Sequence, residues 1–226
     1  MKKSYIGTAF IILVFGIYFI PKIIQRIKND DIIKADRLNK VEQSGGERSD
    51  LLTIGKAPKF SLLDQNKLTV TNETYKGKVF VVEFFFTTCP SICPVMNRNM
   101  KFVQGSFASN TNFGIASITI NPENDTPEVL KKHANLIEAK GMNWHFLTGD
   151  KNAIYEMANK GFNLYVGQNP KVNGGFEHSG LFALIDKQGN IRSRKDDFGN
   201  PIVYYDGLTE VGVKQIKQDI SKLLAE

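Results

Sequence analysis

FFFTTCPSICP, residues 84–94, contains both cysteines of the 226-residue chain and joins two segments of different periodicity. Before it, Val79 to Phe86 is apolar apart from Glu83, a pattern typical of a strand buried on both faces. After it, residues 95–107 carry apolar side chains at helical spacing. The stretch therefore predicts an α/β fold in which two thiols lie where a central strand ends and a helix begins, a usual place for chemistry in α/β sheets.

The spacing of Cys89 and Cys93 limits what the two thiols can do. Residues four apart on a helical turn share one face, with Cβ atoms roughly 5–6 Å apart. A modest loop adjustment would close a disulfide, and the same pair in its reduced form can chelate one soft metal ion. A helix N-terminus also favours the thiolate form of a cysteine. Because a bridge across so short a loop would stabilise the fold only weakly, the spacing favours a redox-active or metal-binding pair.

Four further motifs accompany the cysteine pair. They are GKAPKF at Gly55–Phe60, Gly77-Lys78 before the strand, NPENDTP at Asn121–Pro127, and Glu177-His178-Ser179. A CxxxC pair alone would be weak support for any family. Together with CPSICP, these motifs resemble the Sco/SenC family over the chain from about Ile54 to the C-terminus.

Members of that family are membrane-anchored thioredoxin-fold copper proteins that serve assembly of the binuclear copper site of cytochrome c oxidase. The resemblance therefore implies that this chain binds one copper ion, as Cu(I) or Cu(II). It also implies that the recipient is the copper-site subunit of the oxidase. The copper donor is not identified by the resemblance.

His178 is the expected third metal ligand beside Cys89 and Cys93. It follows a glycine-containing loop, Gly167–Gly175, and precedes the apolar run Leu181–Ile185. In a thioredoxin fold, the loop before that strand faces the cysteines. Soft thiolates select Cu(I), and an added imidazole lets the same site hold Cu(II). Zinc is the chemical rival, but structural zinc usually takes four protein ligands, and the chain has no third cysteine.

Three positions depart from the family's pattern. Ser91 stands where many members have the acid of Cys-Pro-Asp-x-Cys, and Asn121 stands where the family often has the first acid of Asp-Pro-x-x-Asp. Glu177 replaces an aspartate before the histidine. The roles of the lost acids at positions 91 and 121 are in question, whereas Glu177 can still orient His178 or tune the local charge.

The remaining histidines and the nearby methionines are expected to be structural. His133 lies in a lysine-rich helical stretch and is predicted to be a solvated surface residue, and His145 is predicted to have a structural role at a strand start. Met96 and Met100 resemble a thioether pair for Cu(I), but their helical spacing favours a place in the core.

The predicted elements describe a thioredoxin-like α/β domain with a central mixed sheet flanked by helices, joined by right-handed parallel crossovers. Thr126 and Pro127 predict a helix start, Gly141 predicts that helix's end, and Asp150 caps another helix. Leu136 and Val211 are expected to face inward. The predicted strands are residues 59–63, 67–70, 79–86, 112–120, 144–147, 178–186 and 190–194, and the predicted helices are residues 95–107, 127–140, 150–160 and 208–224.

The N-terminus carries a candidate membrane anchor. Tyr5–Ile20 is uncharged and mostly apolar, and extension to Ile24 gives about 20 residues, near the length that spans a bilayer. A cleaved signal peptide is the alternative, but no small-residue cleavage site follows the run. We expect residues 1–24 to be a single transmembrane helix, residues 25–50 a linker and residues 51–226 the thioredoxin-like domain. The expected location is the bacterial cell membrane, with the domain facing the periplasm or the cell exterior.

The charge balance predicts no nucleic-acid partner. The net charge is +6, but residues 1–50 hold nine Lys and Arg against six Asp and Glu. That leaves 20 basic against 17 acidic residues, a net +3, on residues 51–226. Such a balance lacks the basic stripe of a nucleic-acid-binding surface.

Two other functions are open alternatives. A thiol–disulfide oxidoreductase that keeps target cysteines reduced suits the thioredoxin-like frame, although the spacing is CxxxC rather than CxxC. A thiol peroxidase needs an activating group beside its cysteine. Arg98 is the nearest candidate for that group, and it is expected to point along the helix surface. Copper binding is favoured over both.

Overall fold

The computed structural model describes residues 13–21, 50–139, 143–172 and 174–226. Contacts divide the chain into two units, residues 1–46 and residues 47–226. Residues 13–21 of the first unit are helical, and most of the predicted anchor and linker lie outside the described residues. Within the described ranges, no helix is both long enough and apolar enough to cross a membrane.

The second unit is built on a mixed sheet. Its strands are β1 Leu52–Lys56, β2 Ser61–Leu63, β3 Thr69–Thr71, β4 Val79–Phe85, β5 Phe113–Thr119, β6 Trp144–Leu147, β7 Val166–Gln168, β8 Phe176–His178, β9 Leu181–Ile185, β10 Asn190–Ser193 and β11 Tyr205–Asp206. The main sheet has the order β1-β10-β9-β4-β5-β6, with β11 beside β9. Strands β4, β5 and β6 are parallel, whereas β9 and β10 run antiparallel to their neighbours. The predicted central mixed sheet and the predicted β2–β3 hairpin are confirmed.

Four α-helices lie against the sheet in the part of this unit that the structure describes, and a 3-10 helix spans Asn72–Tyr75. The α-helices are α1 Cys93–Ser106, α2 Pro127–Leu136, α3 Lys151–Glu156, which continues into the π-helical turn Met157–Gly161, and α4 Glu210–Ala225. The predicted caps are confirmed, because Thr126 Oγ1 accepts a hydrogen bond from the Val129 N–H and Asp150 Oδ1 accepts one from the Ala153 N–H. Pro127 takes the first helical position, where its missing N–H costs nothing.

Strand β4 forms the centre of the core and carries the cysteine loop at its end. All residues of β4 are buried, as the continuous apolar run predicted, and all residues of β5 are buried as well. Successive side chains of an extended chain point to opposite sides. Accordingly, the Phe85 ring packs against His133 of α2, whereas the Phe86 ring packs against His178 of β8. The two sides of the sheet therefore present different groups to the cysteine loop.

Two apolar residues predicted to face inward are exposed. Leu136 is 81% exposed, because α2 ends there and the chain turns through Glu138, which has a φ of 54°. The predicted continuation of this helix towards Gly141 was wrong. Val211 is 65% exposed, since it lies five residues before the buried Ile216 and points well away from it on the helix.

Candidate metal centre

Cys89, Cys93 and His178 come together at the end of β4. Their ligand atoms, the two Sγ atoms and one imidazole nitrogen, all lie within 4.8 Å of one another. Both cysteines are buried and unbridged, and the His178 ring is half-buried. Three residues from two distant parts of the sequence thus form one compact group of soft and borderline donors.

The turn after β4 and the start of α1 place the two thiols. The Cys89 N–H donates to the carbonyl of Phe86 over 3.2 Å, which closes a tight turn directly after the strand. Cys93 is the first residue of α1, and Pro94 follows it at a position that tolerates a missing N–H. The CPSICP motif is therefore the turn that connects the buried strand to the start of the helix.

One of the two thiols is acidic and the other is not. Donation by the Cys93 thiol to the Cys89 sulfur lowers the pKa of Cys89 to about 3, against the opposing effect of burial. The same hydrogen bond, together with burial, raises the pKa of Cys93. The pair therefore holds one proton on Cys93 and one negative charge on Cys89 at neutral pH, a ready ligand and nucleophile.

His178 presents one ring nitrogen to the cysteines. Its Nδ1 lies 3.1 Å from the carbonyl oxygen of Ser179 and Nε2 lies 3.2 Å from Cys93 Sγ. Because a carbonyl can only accept, Nδ1 donates to Ser179, and Nε2 is the ring nitrogen that faces the sulfur. Nε2 is therefore the nitrogen positioned to bind a metal ion.

The orienting role considered for Glu177 belongs to a backbone group instead. Glu177 Oε1 accepts a hydrogen bond from Asn169 Nδ2 over 2.8 Å across the β7–β8 hairpin. The Ser179 carbonyl, rather than the Glu177 carboxylate, fixes the His178 ring. Backbone groups of this kind leave no residue-type signal in a sequence.

A glycine brings the β7–β8 loop against the cysteine turn. Gly174 has a φ of +92°, and a Cβ built there would lie 3.0 Å from Pro90 Cδ and 3.2 Å from the Phe86 ring. A larger residue would therefore be both strained and crowded. Because the loop packs this closely against the cysteine turn, His178 lies next to the cysteines.

Asp125 fastens the cysteine turn to β5. It is fully buried, and its carboxylate accepts hydrogen bonds from the Thr87 N–H over 3.0 Å, from the Thr87 hydroxyl over 2.5 Å and from the Thr119 hydroxyl over 2.5 Å. Asn124 Nδ2 donates a fourth over 2.8 Å. In the sequence, Asp125 is marked only by its place in the NPENDTP motif. Its contacts show that it fixes the turn two residues before Cys89.

Glu83 is a second buried acid near the centre. Its Oε1 accepts a hydrogen bond from the Ser117 hydroxyl over 2.6 Å, and Ser117 in turn accepts one from Trp144 Nε1 over 2.9 Å. Burial raises the pKa of Glu83 to about 7, opposed by the Ser117 hydrogen bond. In the sequence, Glu83 stood out only as the single break in the apolar run.

The other residues singled out in the sequence lie near these residues or in the core. Ser91 is exposed, with its Oγ 3.6 Å from Cys89 Sγ, and the Asn121 N–H donates to Thr119 Oγ1 over 3.0 Å. Met96 and Met100 are fully buried, which confirms their place in the core. Arg98 is exposed on α1.

The two remaining histidines differ from each other. His145 Nδ1 lies 2.8 Å from the Tyr75 hydroxyl, which confirms its structural role. The prediction that His133 is a solvated surface residue was wrong. Its ring is half-buried against Phe85, and its Nε2 lies 3.2 Å from Asn97 Nδ2. Burial lowers the pKa of His133, so the neutral ring is favoured.

The donor set suits a soft metal ion. Two thiol sulfurs select Cu(I), and the imidazole nitrogen extends the set to Cu(II). His178 Nε2 already points into the group, and the Cys89 thiolate is already formed. Binding would require only that Cys93 release its proton. The arrangement can also support thiol–disulfide exchange, because the acidic Cys89 is a nucleophile and Cys93 lies beside it.

Comparison with known proteins identifies the family. The SCO1/SenC family profile matches residues 52–211. The chain is 35% identical to the SCO1 protein homolog of Bacillus subtilis over 134 residues, which are 58% of this chain and 69% of the relative.

Two solved structures share the fold. BsSco, described as a member of the Sco family of cytochrome c oxidase assembly proteins, aligns with 29% identity and a TM-score of 0.63 over 76% of this chain and 95% of its own. The copper-bound structure of ScoI from Bradyrhizobium japonicum aligns with 22% identity and a TM-score of 0.58 over 74% of this chain and 99% of its own. The chain belongs to the SCO1/SenC family, and its domain has the thioredoxin-like fold of that family.

Proposed function

We propose that this protein binds one copper ion through Cys89, Cys93 and His178 and delivers it to the copper-site subunit of cytochrome c oxidase. The observation that carries the proposal is the convergence of two thiol sulfurs and one imidazole nitrogen within 4.8 Å. Membership of the SCO1/SenC family supports it. A shared fold with a copper-bound Sco protein agrees with it, and BsSco is a member of a family of oxidase assembly proteins.

Each residue of the centre would supply one ligand atom to the ion. Cys89 supplies a thiolate without prior deprotonation, because the Cys93 thiol already stabilises its charge. Cys93 becomes the second thiolate as it loses its proton to solvent. His178 supplies Nε2, held in place through the Ser179 carbonyl. On delivery, the ion leaves for the ligands of the recipient, and Cys93 recovers its proton.

His178→Ala tests the proposal through the Cu(II) form. We expect the full-length variant to lose the thiolate-to-Cu(II) charge-transfer absorption and to bind Cu(II) at least tenfold more weakly, because thiolates alone disfavour Cu(II). His145→Ala is the matched control and should keep the absorption, since His145 bonds Tyr75. An unchanged spectrum in His178→Ala would remove His178 from the centre.

The N-terminal region completes the proposal. We place residues 1–24 in the bacterial cell membrane as a single-pass anchor, with the copper centre on the periplasmic or outer side. The apolar run Tyr5–Ile20 supports this, and the helical conformation of residues 13–21 agrees with it. Protease digestion of the domain in intact spheroplasts tests the placement, and protection of the domain would contradict it.

A second candidate function is thiol–disulfide exchange. The observation in its favour is the acidic Cys89 thiol beside the protonated Cys93 thiol. In such a step, Cys89 attacks the target disulfide, and Cys93 then releases the reduced target as the Cys89–Cys93 disulfide forms. Steady glutathione-coupled reduction of insulin disulfides that requires both cysteines would favour this function over copper delivery.

A further inference from the structure

A groove of about 600 Å³ opens beside the two cysteines, between α1 and α2. Cys89 and Cys93 line its inner end, and His133 lies along one wall. Further out, Phe102 of α1 and Leu136 of α2 line it, and they are 60% and 81% exposed. Two large apolar side chains so exposed on one groove are typical of an interaction surface.

The groove reaches the cysteines from the side opposite to His178. His133, in the wall, packs on Phe85, whereas His178 packs on Phe86, and these neighbouring residues point to opposite sides of the chain. His178 does not line the groove. A molecule in the groove therefore approaches the two cysteines without displacing the imidazole.

The charged residues of the groove are basic. Among the described residues, its lining includes Arg98 and Lys101 and no carboxylate. Lys101 is paired with Glu138 over 2.9 Å, whereas in the described part of the chain no carboxylate lies within ion-pair distance of Arg98. An exposed guanidinium next to apolar anchors favours an acidic partner and accelerates its approach.

We propose that this groove is the docking surface through which the recipient protein reaches the copper ion, and that its occupant is an acidic segment of that protein with a large apolar side chain and a cysteine. This rests on the proposed function. The apolar side chain packs between Phe102 and Leu136, and the acidic group pairs with Arg98. These two contacts place the partner's cysteine next to Cys89 and Cys93. The partner needs a cysteine there because only soft donors compete with two thiolates for the ion.

In such docking, the recipient and His178 approach the copper ion from opposite sides. The recipient's thiolate takes over the ion from the groove side while His178 holds it from the other side. For each sulfur that leaves the ion, one recipient thiol gives up its proton to become the incoming thiolate, and the departing sulfur of Cys89 or Cys93 takes up a proton, so the exchange balances. The ion is never released to water during the exchange.

The test compares transfer to a protein with transfer to a small molecule. The full-length, Cu(I)-loaded chain is mixed either with the soluble copper-site domain of the oxidase subunit from the same organism or with a small Cu(I) chelator. We expect Phe102→Ser to slow transfer to the protein about tenfold, the change expected when an interface loses one aromatic anchor. Transfer to the chelator should keep its wild-type rate, because the chelator needs no docking.

Two further variants sharpen the test. Phe198→Ser is the matched control, because Phe198 is an aromatic residue that is 90% exposed away from the groove, and this variant should transfer copper to the protein at the wild-type rate. Arg98→Glu should slow transfer to the protein about tenfold at low salt and remove most of its salt dependence, since rim charges act on the association rate.

The outcomes are distinguishable. Equal transfer to the oxidase domain by the wild type, Phe102→Ser and Arg98→Glu would overturn the docking surface and leave the copper centre intact. Loss of a wild-type dimer in Phe102→Ser, seen by sedimentation, would also overturn it, because the groove would then bind a second copy of the chain. A chain that takes up no Cu(I) would overturn the proposed function and this proposal with it.

Discussion

Asp125→Ala should lower the free energy of unfolding by about 3 to 5 kcal/mol, the cost expected when one partner of a buried, charge-assisted network is removed. The carboxylate is fully buried and accepts hydrogen bonds from the Thr87 N–H, the Thr87 hydroxyl and the Thr119 hydroxyl. Alanine would leave these donors without partners between β4 and β5. Guanidinium unfolding at pH 7 measures the loss.

Glu123→Ala is the matched control for this prediction. Glu123 lies in the same loop, but its side chain is 72% exposed and pairs only with Lys151. Its removal should change the free energy of unfolding by less than about 1 kcal/mol. A loss below about 1 kcal/mol for Asp125→Ala as well would contradict the role given to this carboxylate. We also expect Asp125→Ala to weaken copper binding, because Thr87 lies two residues before Cys89.

Cys93→Ala should raise the pKa of Cys89 by several units. In the wild-type protein, donation by the Cys93 thiol is the main cause of the lowered Cys89 pKa. Cys89 is therefore a thiolate throughout the range from about pH 4 to pH 7, and its alkylation by iodoacetamide should vary little with pH there. In Cys93→Ala, the alkylation rate should rise steeply with pH towards the ordinary thiol pKa of about 8.5. Mass spectrometry of the Cys89 peptide measures both profiles.

Cys93→Ser supplies the control for packing. A serine hydroxyl keeps a donor of similar size beside Cys89, so its profile should lie between the other two. If Cys93→Ala had the same flat profile as the wild type, the Cys89 charge would not depend on the Cys93 proton. The shared-proton description of the pair would then be wrong.

The sheet could be predicted because its signals are local. The apolar run of β4 predicted a strand buried on both faces, and each residue of that strand is buried. Thr126, Pro127 and Asp150 predicted helix starts because a cap acts on its own first turn. Strand β1 was not predicted, since its five residues alternate weakly and it is fixed by pairing with β10, about 140 residues away.

The two wrong predictions concern side chains whose exposure is not determined by the local sequence pattern. Helical spacing predicted an inward Leu136, but the early end of α2 leaves it exposed at the rim of the groove. The lysines around His133 suggested a solvated ring, but Asn97 and Phe85 bury it. Neither the early end of α2 nor the contacts of His133 can be read from the neighbouring residues. The same two residues now line the groove beside the cysteines.

The centre itself could be predicted only in part. The CxxxC spacing indicated that Cys89 and Cys93 share a face, and the family resemblance pointed to His178. The group that orients His178 is a backbone carbonyl at Ser179, which any residue type would supply. The buried acids Asp125 and Glu83 depend on partners on β5 or in the cysteine turn. Such pairings follow from the fold and not from local sequence.

Titration of the reduced, full-length chain with Cu(I), in competition with a chelator, measures whether the two thiols and the imidazole form one copper site. We predict one tightly bound equivalent, absent in the Cys89→Ser/Cys93→Ser double variant and bound more weakly in His178→Ala. These results would establish a centre of two thiolates and one imidazole. Failure of the wild type to bind Cu(I) more tightly than the double variant would contradict the account, and disulfide exchange would become the leading function.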